Sequence, residues 1–62
     1  MLNDKIVITI TAGVGTKEGE RIRIRKGQKG RLIDFYTAYI GEVKLRNGII
    51  AYIPTSCFKN DI

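Results

Sequence analysis

Hydrophobic and polar residues alternate in short runs along most of this chain, a pattern that predicts β-strands. In the first run, Ile6, Ile8 and Ile10 fall on one face, with lysine and threonine residues on the other. Alternation with a period of two, rich in β-branched side chains, is typical of a strand with one buried face. We therefore predict five strands. They cover residues 5–11, 20–26, 32–36, 42–46 and 49–53.

Glycine-rich segments and the single proline mark the turns between these strands. Asn47-Gly48 predicts a hairpin with a type I′ turn, because both residues tolerate a positive φ angle. Pro54 ends the last predicted strand, since proline cannot donate to a strand ladder. Further loops or turns are predicted at residues 12–19, 27–30, 37–41 and 55–57, the last as a short turn or a single 3₁₀ turn.

Five short strands with tight turns in a chain of 62 residues predict a single all-β domain over residues 1–62. One flat sheet would leave a whole apolar face in water, whereas a strongly bent sheet lets the isoleucines meet in one core. The expected architecture is therefore a small five-stranded antiparallel barrel. The expected core residues are Ile6, Ile8, Ile10, Ile22, Ile24, Ile33, Phe35, Val43, Leu45, Ala51, Ile53 and Phe58.

Composition narrows the class of protein. Hydrophobic types make up 44% of the residues and charged types 27%, which is typical of a globular domain and not of a disordered chain. No apolar run approaches the ~20 residues that a membrane-spanning helix needs, so we expect no membrane partner. Cys57 is the one cysteine and histidine is absent, which excludes an internal disulfide and a Cys/His zinc site. A core held by packing alone suits a reducing compartment, and we expect a cytoplasmic location.

The chain also lacks the side chains that catalysis most often uses. Without histidine the usual general base near neutral pH is missing, and Cys57 has no candidate base beside it in the sequence. Asp34 and Glu42 are too isolated to suggest a metal site or an acid–base pair. We therefore expect a protein that is not an enzyme and that uses no cofactor.

Charge gives the first positive indication of function. Eleven basic residues oppose six acidic ones, and the formal net charge of +5 favours polyanionic partners. Six of the basic residues lie between positions 21 and 31, with no acidic residue among them. The pleat of a strand would place Arg21, Arg23 and Arg25 on one face at intervals of ~6.6 Å, close to the phosphate repeat of a single nucleic-acid strand. Guanidinium groups suit phosphate because they bind two of its oxygens at once.

Tyrosines offer a second kind of nucleic-acid contact, since any base can stack on an aromatic ring. Tyr39 lies in the predicted bend and is expected to be the most exposed, whereas Tyr36 and Tyr52 are expected to be half-buried. The candidate nucleic-acid-binding residues are Arg21, Arg23, Arg25, Lys26, Lys29, Arg31 and Tyr39. The alternative for the basic residues is a solvated outer face whose charges keep an edge strand from pairing with another molecule.

Residues 47–58, Asn-Gly-Ile-Ile-Ala-Tyr-Ile-Pro-Thr-Ser-Cys-Phe, resemble the C-terminal part of Src-homology-3-like (SH3-like) barrels. The resemblance implies a distal hairpin, a last long strand, a 3₁₀ turn and a closing strand, and so makes the predicted barrel SH3-like. Recognition of proline-rich peptides in that family uses a tryptophan before the hairpin and a tyrosine in the 3₁₀ turn. This chain has no tryptophan and has Cys57 in the second place, so peptide binding is not expected.

Residues 21–33 resemble part of the KOW motif, with a basic strand, a glycine turn and an apolar strand. KOW motifs occur in ribosomal and transcription-elongation proteins, so this resemblance implies contact with RNA or DNA. The chain departs from the motif in its shorter glycine spacing.

Two functions follow from these features, and both stay open at this point. The first is a small basic nucleic-acid-binding module that contacts the phosphate backbone through the arginine-bearing strand with little sequence specificity. The second is a protein-interaction or regulatory module, of a phage or plasmid type, whose basic face and open edge strand bind an acidic partner protein. Self-association through edge strands, giving a homo-oligomer, is a third possibility for so small a core.

Overall fold

The computed structural model describes residues 3–62 and confirms that the chain is all-β. Neighbouring strands pair antiparallel and belong to one sheet. The strands are β1 (Asp4–Ile8), β2 (Ala12–Thr16), β3 (Arg21–Ile24), β4 (Lys29–Thr37), β5 (Ile40–Leu45), β6 (Ile50–Pro54) and β7 (Phe58–Asn60). A 3₁₀ turn over Thr55–Cys57 separates β6 from β7, as the sequence predicts. No helix in this part of the chain has the length and apolar character needed to cross a membrane.

The sheet has seven strands, where the sequence pattern predicts five. The strand order is β3-β2-β6-β5-β4-β1-β7. β3 and β7 are the two edges and do not pair with each other in the described residues, so the sheet is not closed. The sheet is nevertheless strongly bent, as the dimensions of the molecule show: it measures only 29 × 24 × 22 Å. The inner face of the bend therefore encloses one core.

β2 forms in the glycine-rich residues 12–16, where the sequence predicts a loop. Gly13 lies opposite Arg23 of β3. Gly15 lies opposite Arg21 of the same strand. A Cβ atom on Gly13 would lie 3.4 Å from Nη2 of Arg21, so the arginine side chain lies across the glycine. Gly13 therefore makes room for a long side chain of the neighbouring strand.

One apolar core lies on the inner face of the sheet. Its buried residues are Ile6, Ile8, Val14, Ile24, Leu32, Val43, Leu45, Ala51, Ile53 and Cys57. Ala12, Ile22 and Phe58 are partly buried and pack against it. Thr16 is also buried, and its hydroxyl accepts a hydrogen bond of 3.0 Å from Glu20 N, which closes the β2–β3 hairpin. Most of the expected core residues are thus confirmed.

Two residues that the sequence predicts in the core lie at the surface: Ile10 is 52% exposed and Phe35 is 47% exposed. β1 ends before Ile10, so strand alternation no longer directs that side chain inward. Leu32 lies opposite Val43, in phase with Gly30 on the inner face of β4, so it is buried where the sequence predicts Ile33. The register with β5 shifts only after Leu32, so Ile33 falls at a bulge and is half-buried. Phe35 lies beyond the part of β4 that pairs with β1, which leaves its ring uncovered.

The β5–β6 hairpin forms at Asn47-Gly48, but the prediction of a type I′ turn is wrong. Gly48 has a φ of 89°, whereas Asn47 has no positive φ. Gly48 N donates to the Leu45 carbonyl at 2.9 Å, and Leu45 N donates to the Ile49 carbonyl at 2.8 Å. These bonds and one left-handed glycine are typical of the three-residue hairpin loop, which combines a type I turn with a bulge.

The turn between β3 and β4 lies at residues 25–28, two positions before the predicted one. Gln28 N donates to the Arg25 carbonyl at 3.0 Å, and Gly27 supplies the positive φ of 91°. Lys29 and Gly30 therefore belong to β4. Because Lys29 lies on β4, its neighbours on the adjacent strand are defined: it lies opposite Val7 of β1.

Replacing Gly30 by alanine is expected to lower the free energy of unfolding by about 1–3 kcal/mol, because overpacking forces shifts in a dense core. A Cβ atom there would lie 2.8 Å from Val43 Cγ1 and 3.0 Å from the backbone carbonyl oxygen of Lys44. The matched control is Gly13→Ala, whose Cβ would meet the flexible end of Arg21 at 3.4 Å. Urea unfolding measures both variants, and equal stabilities would contradict the inner-face packing described above.

Candidate nucleic-acid interface

The structure places the predicted site residues at the surface but divides them between two strands. Each of the six basic residues is exposed, and Tyr39 is 78% exposed. Four of them, Arg21, Arg23, Arg25 and Lys26, lie on β3 or in the turn after it and are called the β3 cluster. The other two, Lys29 and Arg31, lie on β4. β3 is an edge of the sheet and β4 lies between β5 and β1, so these two strands do not pair with each other.

Pleating sorts the side chains of β3 as the sequence predicts. Arg21 and Arg23 are exposed, whereas Ile24 is fully buried and Ile22 is half-buried. Arg25 follows the last residue of β3, so the alternation of the strand no longer sets its direction. Two of the three arginines predicted on the strand, Arg21 and Arg23, therefore lie on β3, and Arg25 is exposed in the turn after it.

Carboxylates of the chain leave the β3 cluster unneutralised. Among the described residues one ion pair is present, and it joins Lys29 Nζ to Asp61 Oδ2 at 3.2 Å. Within residues 3–62, Glu18, Glu20 and Asp34 form no ion pair with an arginine. The positive charge of the β3 cluster is therefore available to an external anion.

Strand pairing brings Arg31 together with two lysines from other parts of the sequence. Arg31 lies opposite Lys5 of β1 on one side and opposite Lys44 of β5 on the other. These three residues, the cationic row, thus cross three neighbouring strands that are spaced by ~4.8 Å. The adjacent row on the inner face of the same strands consists of Ile6, Gly30 and Leu45.

The cationic row borders a groove of about 480 Å³. Lys29 and Arg46 add two further cations to the lining, and Gly30 forms part of it. Asp61 enters the groove from the residues that follow β7, where its backbone N donates to the Lys5 carbonyl at 2.9 Å and its carboxylate pairs with Lys29. Five cations and one carboxylate therefore surround the same open space.

Lys5 is not among the residues that the sequence singles out, and for Lys44 and Arg46 the sequence leaves open whether they extend a basic surface or are ordinary solubilising charges. Each lies outside the basic segment, and Lys5 directly follows an aspartate. What unites them with Arg31 is the register of β1, β4 and β5, which joins residues far apart in the chain. A prediction of strand pairing is the signal that would have found them.

Three tyrosines lie on β4, on β6 and in the β4–β5 turn, and one of them, Tyr52, is close to the cationic row. Tyr36 is 62% exposed, where the sequence predicts a half-buried ring, and its centroid lies 4.8 Å from that of Tyr52 at an interplanar angle of 45°. Lys44 lies opposite Ile50 of β6, and Tyr52 follows two positions later on the same face. Tyr52 is therefore a diagonal neighbour of Lys44, a geometry within reach of long side chains. Tyr39 lies at the β4–β5 turn, and its predicted exposure is confirmed.

The chemistry that this surface offers is electrostatic attraction combined with aromatic stacking. The described residues contain no group of three or more His, Cys, Asp and Glu side chains placed to hold a metal ion. Cys57 is a buried free thiol whose Sγ lies 4.0 Å from Ser56 Oγ.

Comparisons of the chain with protein-family models, with curated proteins and with solved structures give no match. The SH3-like and KOW-like resemblances therefore stay predictions from residues 47–58 and 21–33. The function rests on the placement of the exposed cations and tyrosines.

Proposed function

We propose that the protein binds the phosphate backbone of nucleic acids with little preference for sequence. The observation that supports this most strongly is that the predicted cations are exposed and, in the described residues, only Lys29 among them forms an ion pair. A net charge of +5 on 62 residues adds long-range attraction to any polyanion. Contacts from arginine and lysine to phosphate oxygens position a nucleic acid without reading its bases, so we expect low sequence specificity.

Single-stranded RNA or DNA is the form that these surfaces suit best. Tyr36 and Tyr39 expose their rings on the side of the sheet where β4 turns into β5. Unpaired bases stack on such rings with ~1–3 kcal/mol per base. The bases of a duplex are already stacked on one another and gain nothing from these rings. Combined contact to phosphates and bases therefore favours the single strand.

We also propose that the sheet is a variant of the SH3-like barrel. The β5–β6 hairpin, the 3₁₀ turn and β7 follow one another through residues 47–58 in the order that the resemblance implies. β3, the glycine turn and the first part of β4 occupy residues 21–33, the KOW-like segment. KOW-type barrels contact RNA or DNA, so this relation supports the same function. The buried free thiol of Cys57 suits a reducing compartment such as the cytoplasm.

An acidic protein partner is the second candidate function. β3 is an edge of the sheet, and one side of it pairs with no strand in the described part of the chain. An extended segment of a partner can add a strand to such an edge, and Arg21 and Arg23 would favour acidic side chains on it. A pull-down after nuclease treatment that recovers one stoichiometric protein supports this candidate. A second copy of the chain at the same edge would give a homo-oligomer, which sedimentation detects.

Affinity for a short fluorescent oligothymidylate is expected to fall steeply with salt, because each phosphate contact releases counterions. On a single strand each contact adds about 0.7 to the slope of log affinity against log salt, and we expect a total slope of about −2 to −4. Fluorescence anisotropy measures it, with a duplex of equal length and a second sequence as controls. Absence of binding at low salt, or a slope near zero, would contradict the proposed function.

The β3 cluster is expected to supply part of this affinity. Replacing Arg21, Arg23 and Arg25 by glutamine should weaken binding by about fivefold to 25-fold at ~0.1 M salt, the effect of losing one or two phosphate contacts. The control is the triple replacement by lysine, which keeps the charge and should retain most of the affinity. If the glutamine variant binds as tightly as the unmodified protein, the β3 cluster is not a contact surface.

A further inference from the structure

The cationic row places like charges side by side, which destabilises the isolated fold. Lys5, Arg31 and Lys44 occupy directly opposite positions on neighbouring strands, where like charges repel. Within residues 3–62 no carboxylate forms an ion pair with any of the three. An anion that enters the groove beside them would relieve this repulsion, so the row has a physical reason to bind one.

One carboxylate of the chain already lies in that groove. Asp61 Oδ2 is 3.2 Å from Lys29 Nζ, and the bond from Asp61 N to the Lys5 carbonyl holds the residue in place. The two side chains of this ion pair are 64% and 31% exposed, so the pair contributes little in water. The Asp61 carboxylate therefore shows that the groove accommodates an oxygen anion. Its attraction to Lys29 is weak, so another anion can displace it.

We propose that the groove beside β1, β4 and β5 seats a backbone phosphate of single-stranded nucleic acid, and that the Asp61 carboxylate competes for the same place. This inference rests on the proposed function and makes the groove, rather than the β3 cluster, the principal contact. In this position the phosphate lies between the cationic row and Lys29. It replaces the Asp61 carboxylate as the ion-pair partner of Lys29. The Arg31 guanidinium matches its two free oxygens with a pair of parallel hydrogen bonds.

The surroundings of the row favour a nucleic-acid strand over other polyanions. Tyr52 is the diagonal neighbour of Lys44, and the ring of Tyr36 lies against it at 4.8 Å. A base next to the seated phosphate can stack on this pair, whereas an anionic lipid headgroup or an acidic peptide gains no comparable contact there. Glu42 lies opposite Tyr52 and repels a second phosphate, so a bound strand turns its bases, not its backbone, towards the tyrosines.

Neutralising the cationic row tests the groove against the β3 cluster. One variant replaces Lys5, Arg31 and Lys44 by glutamine. Its matched control is the glutamine triple of the β3 cluster, which removes the same formal charge. With a short fluorescent oligothymidylate at ~0.1 M salt we expect the groove variant to lose about 100-fold in affinity and the control less than 25-fold. The groove variant should unfold at an equal or higher urea concentration, because adjacent like charges have been removed.

Asp61→Asn tests the competition without touching the cationic row. Removing the carboxylate is expected to raise affinity for the same oligonucleotide by about threefold to tenfold, since a negative charge near the phosphate is lost. The matched control is Glu18→Gln in the β2–β3 turn, an exposed residue outside the groove lining. It makes the same change in net charge and should alter affinity by less than about twofold, because salt screens distant charges. Equal gains in the two variants overturn the competition.

The outcomes separate this inference from the proposed function. If the unmodified protein does not bind the oligonucleotide at low salt, the proposed function fails and the inference fails with it. If the protein binds, but the β3 triple abolishes binding while the groove triple retains it, the proposed function stands and the groove is overturned as the principal contact. If polyglutamate or phosphatidylserine vesicles bind as tightly as the oligonucleotide and compete with it, nucleic acid is overturned as the specific occupant.

Discussion

β4 pairs with β1 on one side and with β5 on the other, and the register of these two pairs determines both the core and the charged surface. It places Gly30 opposite both Ile6 and Leu45 on the inner face. It also places the three residues of the cationic row opposite one another on the outer face. A slip of one residue would bury the cations and expose the apolar side chains. Burial of unpaired charge is far more unfavourable than repulsion between exposed charges. The packing of the core therefore fixes the register, and the register keeps the three cations next to one another despite their repulsion.

Glycines in the strands make the bend and the charged surface compatible. Gly30 lets the backbone of β5 approach β4 closely, because a Cβ atom there would lie only 3.0 Å from the carbonyl oxygen of Lys44. Gly13 leaves space in β2 for the Arg21 side chain of β3, whose Nη2 would lie 3.4 Å from a Cβ atom there. Neither glycine lies in a flexible loop. The positions of the cations thus follow from backbone packing as much as from the charged residues themselves.

The local sequence pattern predicts those features of the fold that depend only on residues close together in the chain. The alternation of isoleucine with arginine predicts β3 and the exposure of Arg21 and Arg23, and Pro54 ends β6 as expected. β2 is not predicted by its local pattern, because the reason for Gly13 is the Arg21 side chain of another strand. In β4, Leu32 is buried instead of Ile33 because Leu32 lies opposite Val43, a relation that exists only in the pairing with β5. The cationic row is non-local in the same way, so only part of the candidate interface could be predicted from the sequence.

If the register of β1, β4 and β5 builds the phosphate site, residues far apart in the sequence must respond to a ligand together. An NMR titration of the isotope-labelled protein with a short oligothymidylate detects this, because it reports on every backbone amide at once. We expect the largest chemical-shift changes at Lys5, Arg31 and Lys44, and we expect these changes to diminish as salt is added. Changes that are largest on β3, or that spread evenly over the sheet, would contradict this expectation.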